Sequence, residues 1–129
     1  MAYKKKNYTV DGSRFSTLAE AAVEFTQALG LTTPWNGNLD AFNDILHGGF
    51  GTPEEGFVLT WQHANISRQK LGYAETLLWL KKCLSHCHPS NVPDIQNRIL
   101  AASRQEGKTL FDILVSIIED HKDIELRLS

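Results

Sequence analysis

The chain has 129 residues, of which 42% are hydrophobic and 22% charged, with a formal net charge of −2. That length fits one domain whose core buries roughly two-thirds of the unfolded surface; the composition is ordinary for a soluble globular protein, and so small a charge argues for no class of partner. Two cysteines, Cys83 and Cys87, do not make a disulfide framework, and apolar runs such as Ile113, Leu114 and Val115 fall far short of the ~20 residues of a membrane span.

Lys4, Lys5 and Lys6 stand near the start and no apolar signal-peptide segment follows them. The run is expected to be a solvated leader to a first strand, and the protein to be cytoplasmic. Residues 8–10 read as that strand, closed by an Asp11–Gly12 turn. Thr17 and Glu20 have capping-box spacing. Leu18, Ala21, Ala22, Phe25 and Leu29 then recur at helical spacing, with Gly30 placed to end the helix. A turn-rich loop over residues 31–37 leads to Asn38, which can cap a second helix. There Leu39, Phe42 and Leu46 fall on one side and Asp40, Asn43, Asp44 and His47 on the other, before Gly48 and Gly49.

Residues 57–61 form a β-branched and aromatic run that predicts a buried strand. The pattern over 66–107 is helical. Leu77, Leu78, Leu80 and Leu84 predict an apolar stripe, residues 88–91 break it, and Pro93 and Asp94 suit the first turn of a further helix. Ile95, Ile99, Leu100 and Ala102 are expected inside, with Gly107 at the end. Thr109 and Asp112 form a second cap-like pair, heading a helix with Leu110, Ile113, Leu114, Ile117 and Ile118 that runs to about Asp120. Ile124, Leu126 and Leu128 alternate with Glu125 and Arg127, a strand pattern. Helices between successive strands imply right-handed crossovers. The expected fold is α/β, a small three-stranded parallel sheet flanked by helices, as one domain over residues 1–129.

Charge is unevenly spread. Between Arg14 and Arg68 there is no Lys or Arg, yet the interval holds Glu20, Glu24, Asp40, Asp44, Glu54 and Glu55. If these acids share a face, it repels phosphates and attracts basic partners, which argues against direct nucleic-acid binding there. Asp40 and Asp44 lie one helical turn apart. They are either solvated helix acids or half of an interface. Trp35, just before the helix, either packs against it or joins those acids as an interface aromatic.

The segment from Pro34 to Asp44, with Trp35, Asn38, Leu39, Asp40, Ala41 and Asp44, resembles the signature of the barstar family. The order of elements follows the family outward: residues 8–10 resemble its first strand, 17–29 its first helix, 57–61 its second strand, and 109–129 its last helix and strand. The resemblance implies a three-stranded parallel sheet with packed helices, no enzymatic activity and no cofactor. It implies an intracellular, immunity-type inhibitor that covers the active site of a basic, secreted or toxin microbial ribonuclease, as a monomer in a 1:1 complex. In that pattern Asp44 matches the principal plug among the nuclease's basic residues and Asp40 a neighbouring interface acid. Trp35 matches the second member of an aromatic pair, Asn38 and Leu39 match interface positions, and Asp120 falls at an acidic position near the end of the last helix. The chain departs from the pattern at Pro34, at Asn43, where the family usually has an aromatic and which is taken with the interface, and at Ser116. Residues of about 74–107 look like an added helical hairpin, which is either structural or a partner contact.

Cys83, His86, Cys87 and His88 could in principle ligate zinc, but the spacing is not a recurrent zinc pattern, and free cysteines are also good buried hydrophobes; no metal site is expected. A partner-binding adaptor of the same fold, and a metal-dependent enzyme using Asp40, Asp44 or the Cys–His cluster, are the competing expectations.

Overall fold

The structure, a computed structural model, describes residues 5–129; Lys4 of the lysine leader lies outside them. Strand β1 (Asn7–Asp11) pairs parallel with β2 (Phe57–Gln62), and β2 pairs parallel with β3 (Ile124–Leu128). The strand order β1-β2-β3 follows the chain. A parallel sheet that adds strands in sequence through crossovers of one hand keeps its helices on a single face, and the burial pattern agrees. Tyr8 sits opposite Leu59, Val10 opposite Trp61, and Phe57 opposite Ile124, all on the buried side. On the other side Thr9, Gln62, Glu125 and Arg127 are exposed and Val58 and Thr60 only half-buried. The second strand is therefore buried on one face, not on both.

Among the described residues there are six α-helices: α1 (Leu18–Ala28), α2 (Leu39–Leu46), α3 (Ala64–Lys70), α4 (Tyr73–His86), α5 (Val92–Ser103) and α6 (Leu110–Glu119). Their starts follow local chemistry. Thr17 Oγ1 accepts from Glu20 N–H at 3.1 Å, but the Glu20 carboxylate reaches past the cap to Ser16 N–H at 2.8 Å, so the box is not closed on Thr17. At α6 both halves are present: Thr109 accepts from Asp112 N–H, and Asp112 from Thr109 N–H. The helix α3 was not separable in the periodic pattern, because Leu71 and Gly72 divide it from α4 without an apolar break.

The main core is centred on Phe25, whose ring lies 5.9 Å from Trp35, 5.3 Å from Phe42 and 5.3 Å from Trp61. Phe111, absent from the predicted stripe of α6, packs 5.2 Å from Trp61. Gly56 turns into β2 at φ +100°, and a Cβ there would collide with the Asp123 carbonyl, so the approach to β3 requires glycine. The lysine leader is less solvated than expected: Lys5 Nζ donates to the Asp123 carbonyl at 2.7 Å, and Lys6 lies over the Tyr8 ring.

Helices α4 and α5 form a hairpin through a 3-10 turn (Pro89–Asn91). They share a small second core of Leu80, Ile95 and Ala102, and Trp79 packs against both this cluster and the main one. Two leucines expected inside are not. Leu78 is 61% exposed and Leu100 55%, because a helix pair buries one narrow stripe and each of these points roughly 140–160° round the helix from the buried residues of its stripe. Among the described residues no helix is long and apolar enough to cross a membrane.

Candidate functional site

The loop before α2 is held by its own polar atoms. Thr26 Oγ1 donates to the Ala22 carbonyl and accepts from Trp35 N–H at 3.0 Å, pinning the loop to α1. The Trp35 indole stacks on Phe42 with centroids 4.5 Å apart, and its N–H donates to the Asn38 carbonyl at 2.7 Å. Asn38 N–H donates to Asn36 Oδ1, and Asn38 Oδ1 accepts from Ala41 N–H at 2.9 Å. Trp35 is only 4% exposed. Of its two alternatives, the packing one matches its position: it fixes where α2 starts and offers no side-chain surface outward.

Helix α2 buries Phe42, Ile45 and Leu46. Leu39, expected on the apolar face, is half-buried against the main core, and Ile45 joins Phe42 and Leu46 inside. Asp40, Asn43, Asp44 and His47 all face outward and are exposed. Neither Asp40 nor Asp44 is in an ion pair among the described residues; the pairs there join Arg14 to Glu24, His63 to Asp11 and Arg127 to Glu125. The acidic interval as a whole does not form one face. Glu24 is 7% exposed, accepts from Asp11 N–H and lies 3.7 Å from Arg14, so it serves the interior.

Helix stability does not account for Asp44. Asp40 stands in the first turn, where the macrodipole favours an anion. Asp44 stands in the last turn of the same short helix, where the dipole disfavours one and no basic side chain compensates. It is also one turn from a like charge, which costs a few tenths of a kcal/mol. Of the two outward carboxylates, Asp44 is therefore the one held at a local cost, beside an Asp40 that the dipole stabilises.

The end of α6 is bolted to this face. His121 Nε2 lies 2.8 Å from Asn43 Oδ1, and the His121 and His47 rings meet edge to face at 4.6 Å. Asn43 is thus a tie between two helices as well as a surface residue. The tie brings Asp120 round, so that Asn38, Leu39, Asp40, Asn43 and Asp120 line one open cleft of about 560 Å³. Asp44 does not line that cleft but stands beside it on the same helix face. The far wall is Trp79, Cys83 and Arg98 from the hairpin, with Ile113 and Ile117 from α6. Nothing local marked Arg98 or Trp79 as neighbours of α2. The Arg98 guanidinium sits 5.4 Å from the Trp79 ring and makes no ion pair among the described residues, so two carboxylates face one base across the cleft.

Burial first, then the neighbouring His47, pushes the His121 imidazole below its ordinary 6.5, against an opposing pull from Asp123 and Asp120. A depressed histidine favours the folded state above the unfolded value, and that stability is lost as pH falls from 6.5 toward the lowered native value. Urea unfolding between about pH 7.5 and about pH 5.5 should show this loss, and His121→Gln should flatten it; equal slopes in the two proteins would assign it elsewhere.

The Cys–His cluster divides. Cys83 and Cys87 are half-buried against the hairpin core, with the Cys83 thiol pushed up chiefly by burial. His86 and His88 are exposed, and His88 accepts from Ser90 N–H as a cap. Among the described residues no group of three metal-ligating side chains comes together.

No curated protein matches the chain. The family model described as Barstar (barnase inhibitor) matches residues 6–93, a span that holds β1, the whole of α2, β2 and α4. On a match over more than half its length, the chain belongs to the Barstar family.

Proposed function

We propose that this protein is an intracellular inhibitor of a microbial ribonuclease, of the immunity type, that blocks the nuclease active site with the outward face of α2. The observation that carries the reading is the pair Asp40 and Asp44: exposed, one turn apart and without an ion pair among the described residues, with Asp44 held at a local electrostatic cost. A ribonuclease must hold phosphates, so its cleft is cationic, and a rigid carboxylate-bearing helix complements it in charge and geometry. Asp120 adds a third acid at the same place through the Asn43–His121 tie. The role is binding, not catalysis, and needs no cofactor.

The test is an RNA-cleavage assay with two probes, barnase and any small basic ribonuclease encoded beside this gene. Cleavage by at least one should fall to background near one equivalent of inhibitor. Association should slow markedly as salt rises, because exposed charges steer the encounter. Undiminished cleavage by both probes at a large excess of the protein would reject the reading.

A further inference from the structure

A stable protein interface takes about 20–30 residues from each side, whereas α2 has only eight, with Phe42, Ile45 and Leu46 among them buried. A body seated on α2 must therefore cover neighbouring surface, and beside it lies a groove of about 930 Å³ between the start of α1, the loop before α2 and α4. Asn38 and Trp79 line both this groove and the acidic cleft, so the two adjoin. Their charges are opposite. The groove's one carboxylate, Glu75, is engaged by Leu18 N–H at 2.9 Å. Lys81 and Lys82 are exposed and in no ion pair among the described residues. Leu78, 61% exposed, lies among them beside Trp79.

We propose that this groove is the second half of the partner surface, and that it takes an acidic loop of the same ribonuclease, with an apolar side chain seated on Leu78 and Trp79 and a carboxylate between Lys81 and Lys82. The proposal rests on the reading of α2 given above. A nuclease whose cationic active site faces Asp40 and Asp44, and whose surface stays basic beyond it, meets Lys81 and Lys82 with like charge and is rejected. One whose rim turns acidic is attracted at both places. The groove thus selects among ribonucleases, while α2 supplies the blocking contact common to all of them.

The experiment measures affinity for the ribonuclease inhibited in the cleavage assay, using wild type, the charge reversal Lys81→Glu with Lys82→Glu, Leu78→Ser, and Asp44→Ala. All these side chains are exposed, and circular dichroism checks that each variant is folded. The charge reversal should weaken binding about tenfold or more, mainly through slower association, and Leu78→Ser should weaken it mainly through faster dissociation. If Asp44→Ala weakens binding while the charge reversal and Leu78→Ser both leave it within about twofold of wild type, the groove is not a contact and this inference fails alone. If Asp44→Ala also leaves binding unchanged, or no ribonuclease is bound at all, the reading of α2 fails and this one with it.

Discussion

Replacing Asp44 by alanine is expected to weaken the complex with the target ribonuclease by about 2–5 kcal/mol, a range known chiefly from barnase complexes of this family rather than deduced from this chain. That corresponds to roughly 30-fold to several-thousand-fold in Kd. Most of the loss is the cost of leaving the partner's cationic groups desolvated and unpaired, so the exposed surroundings of Asp44 in the free protein do not reduce it. The same substitution should leave folding stability within about 0.5 kcal/mol, since the carboxylate makes no ion pair among the described residues and opposes the dipole at its end of α2. Calorimetric titration against the nuclease, paired with urea unfolding of the free protein, reads both numbers. A change that destabilised the fold and spared the affinity would make Asp44 a structural acid.

Trp35→Ala should show the opposite signature. The indole is enclosed, stacked on Phe42, edge-on to Phe25, and bonded to the Asn38 carbonyl. Truncating a buried tryptophan costs about 3–5 kcal/mol of folding stability, which for a single domain is a large share of the total. Trp35→Phe should recover most of the packing and lose only the hydrogen bond, worth about 0.5–1.5 kcal/mol. Measured by urea unfolding, the two variants separate support of the helix start from direct contact. If Trp35→Ala remained as stable as wild type and lost only affinity, the aromatic would be part of the interface after all.

What the sequence disclosed was mostly local. Asn38 as a cap, the Thr109–Asp112 box and the alternation from Ile124 are short-range patterns with one physical outcome each, and each is where it was expected. The three-stranded parallel sheet followed from their order. What could not be read depended on direction rather than residue type. Glu24 counted as one acid among six, yet tertiary packing buries it against β1, where it accepts from Asp11 N–H. Leu78 and Leu100 counted as core, yet a two-helix hairpin has no second layer to bury them. Leu39 and Ile45 are both apolar on α2, yet Ile45, three residues past Phe42, is buried and Leu39 at the first turn is half-buried. Arg98 and Trp79 reach the cleft across a long stretch of chain, through the placement of the hairpin and not through any spacing.

The central claim is that α2 occupies the nuclease's phosphate-binding site, and competition with a small active-site ligand tests it most directly. Binding of the protein to the inhibited ribonuclease is measured at constant ionic strength in rising concentrations of a nucleoside 3′-monophosphate that competes with RNA for that enzyme's active site. Mutually exclusive occupancy predicts an apparent Kd that climbs in proportion to the nucleotide once it exceeds its own Kd, with the Asp44→Ala variant starting weaker. An apparent Kd that does not move while the nuclease is saturated with nucleotide would place the protein elsewhere on its partner.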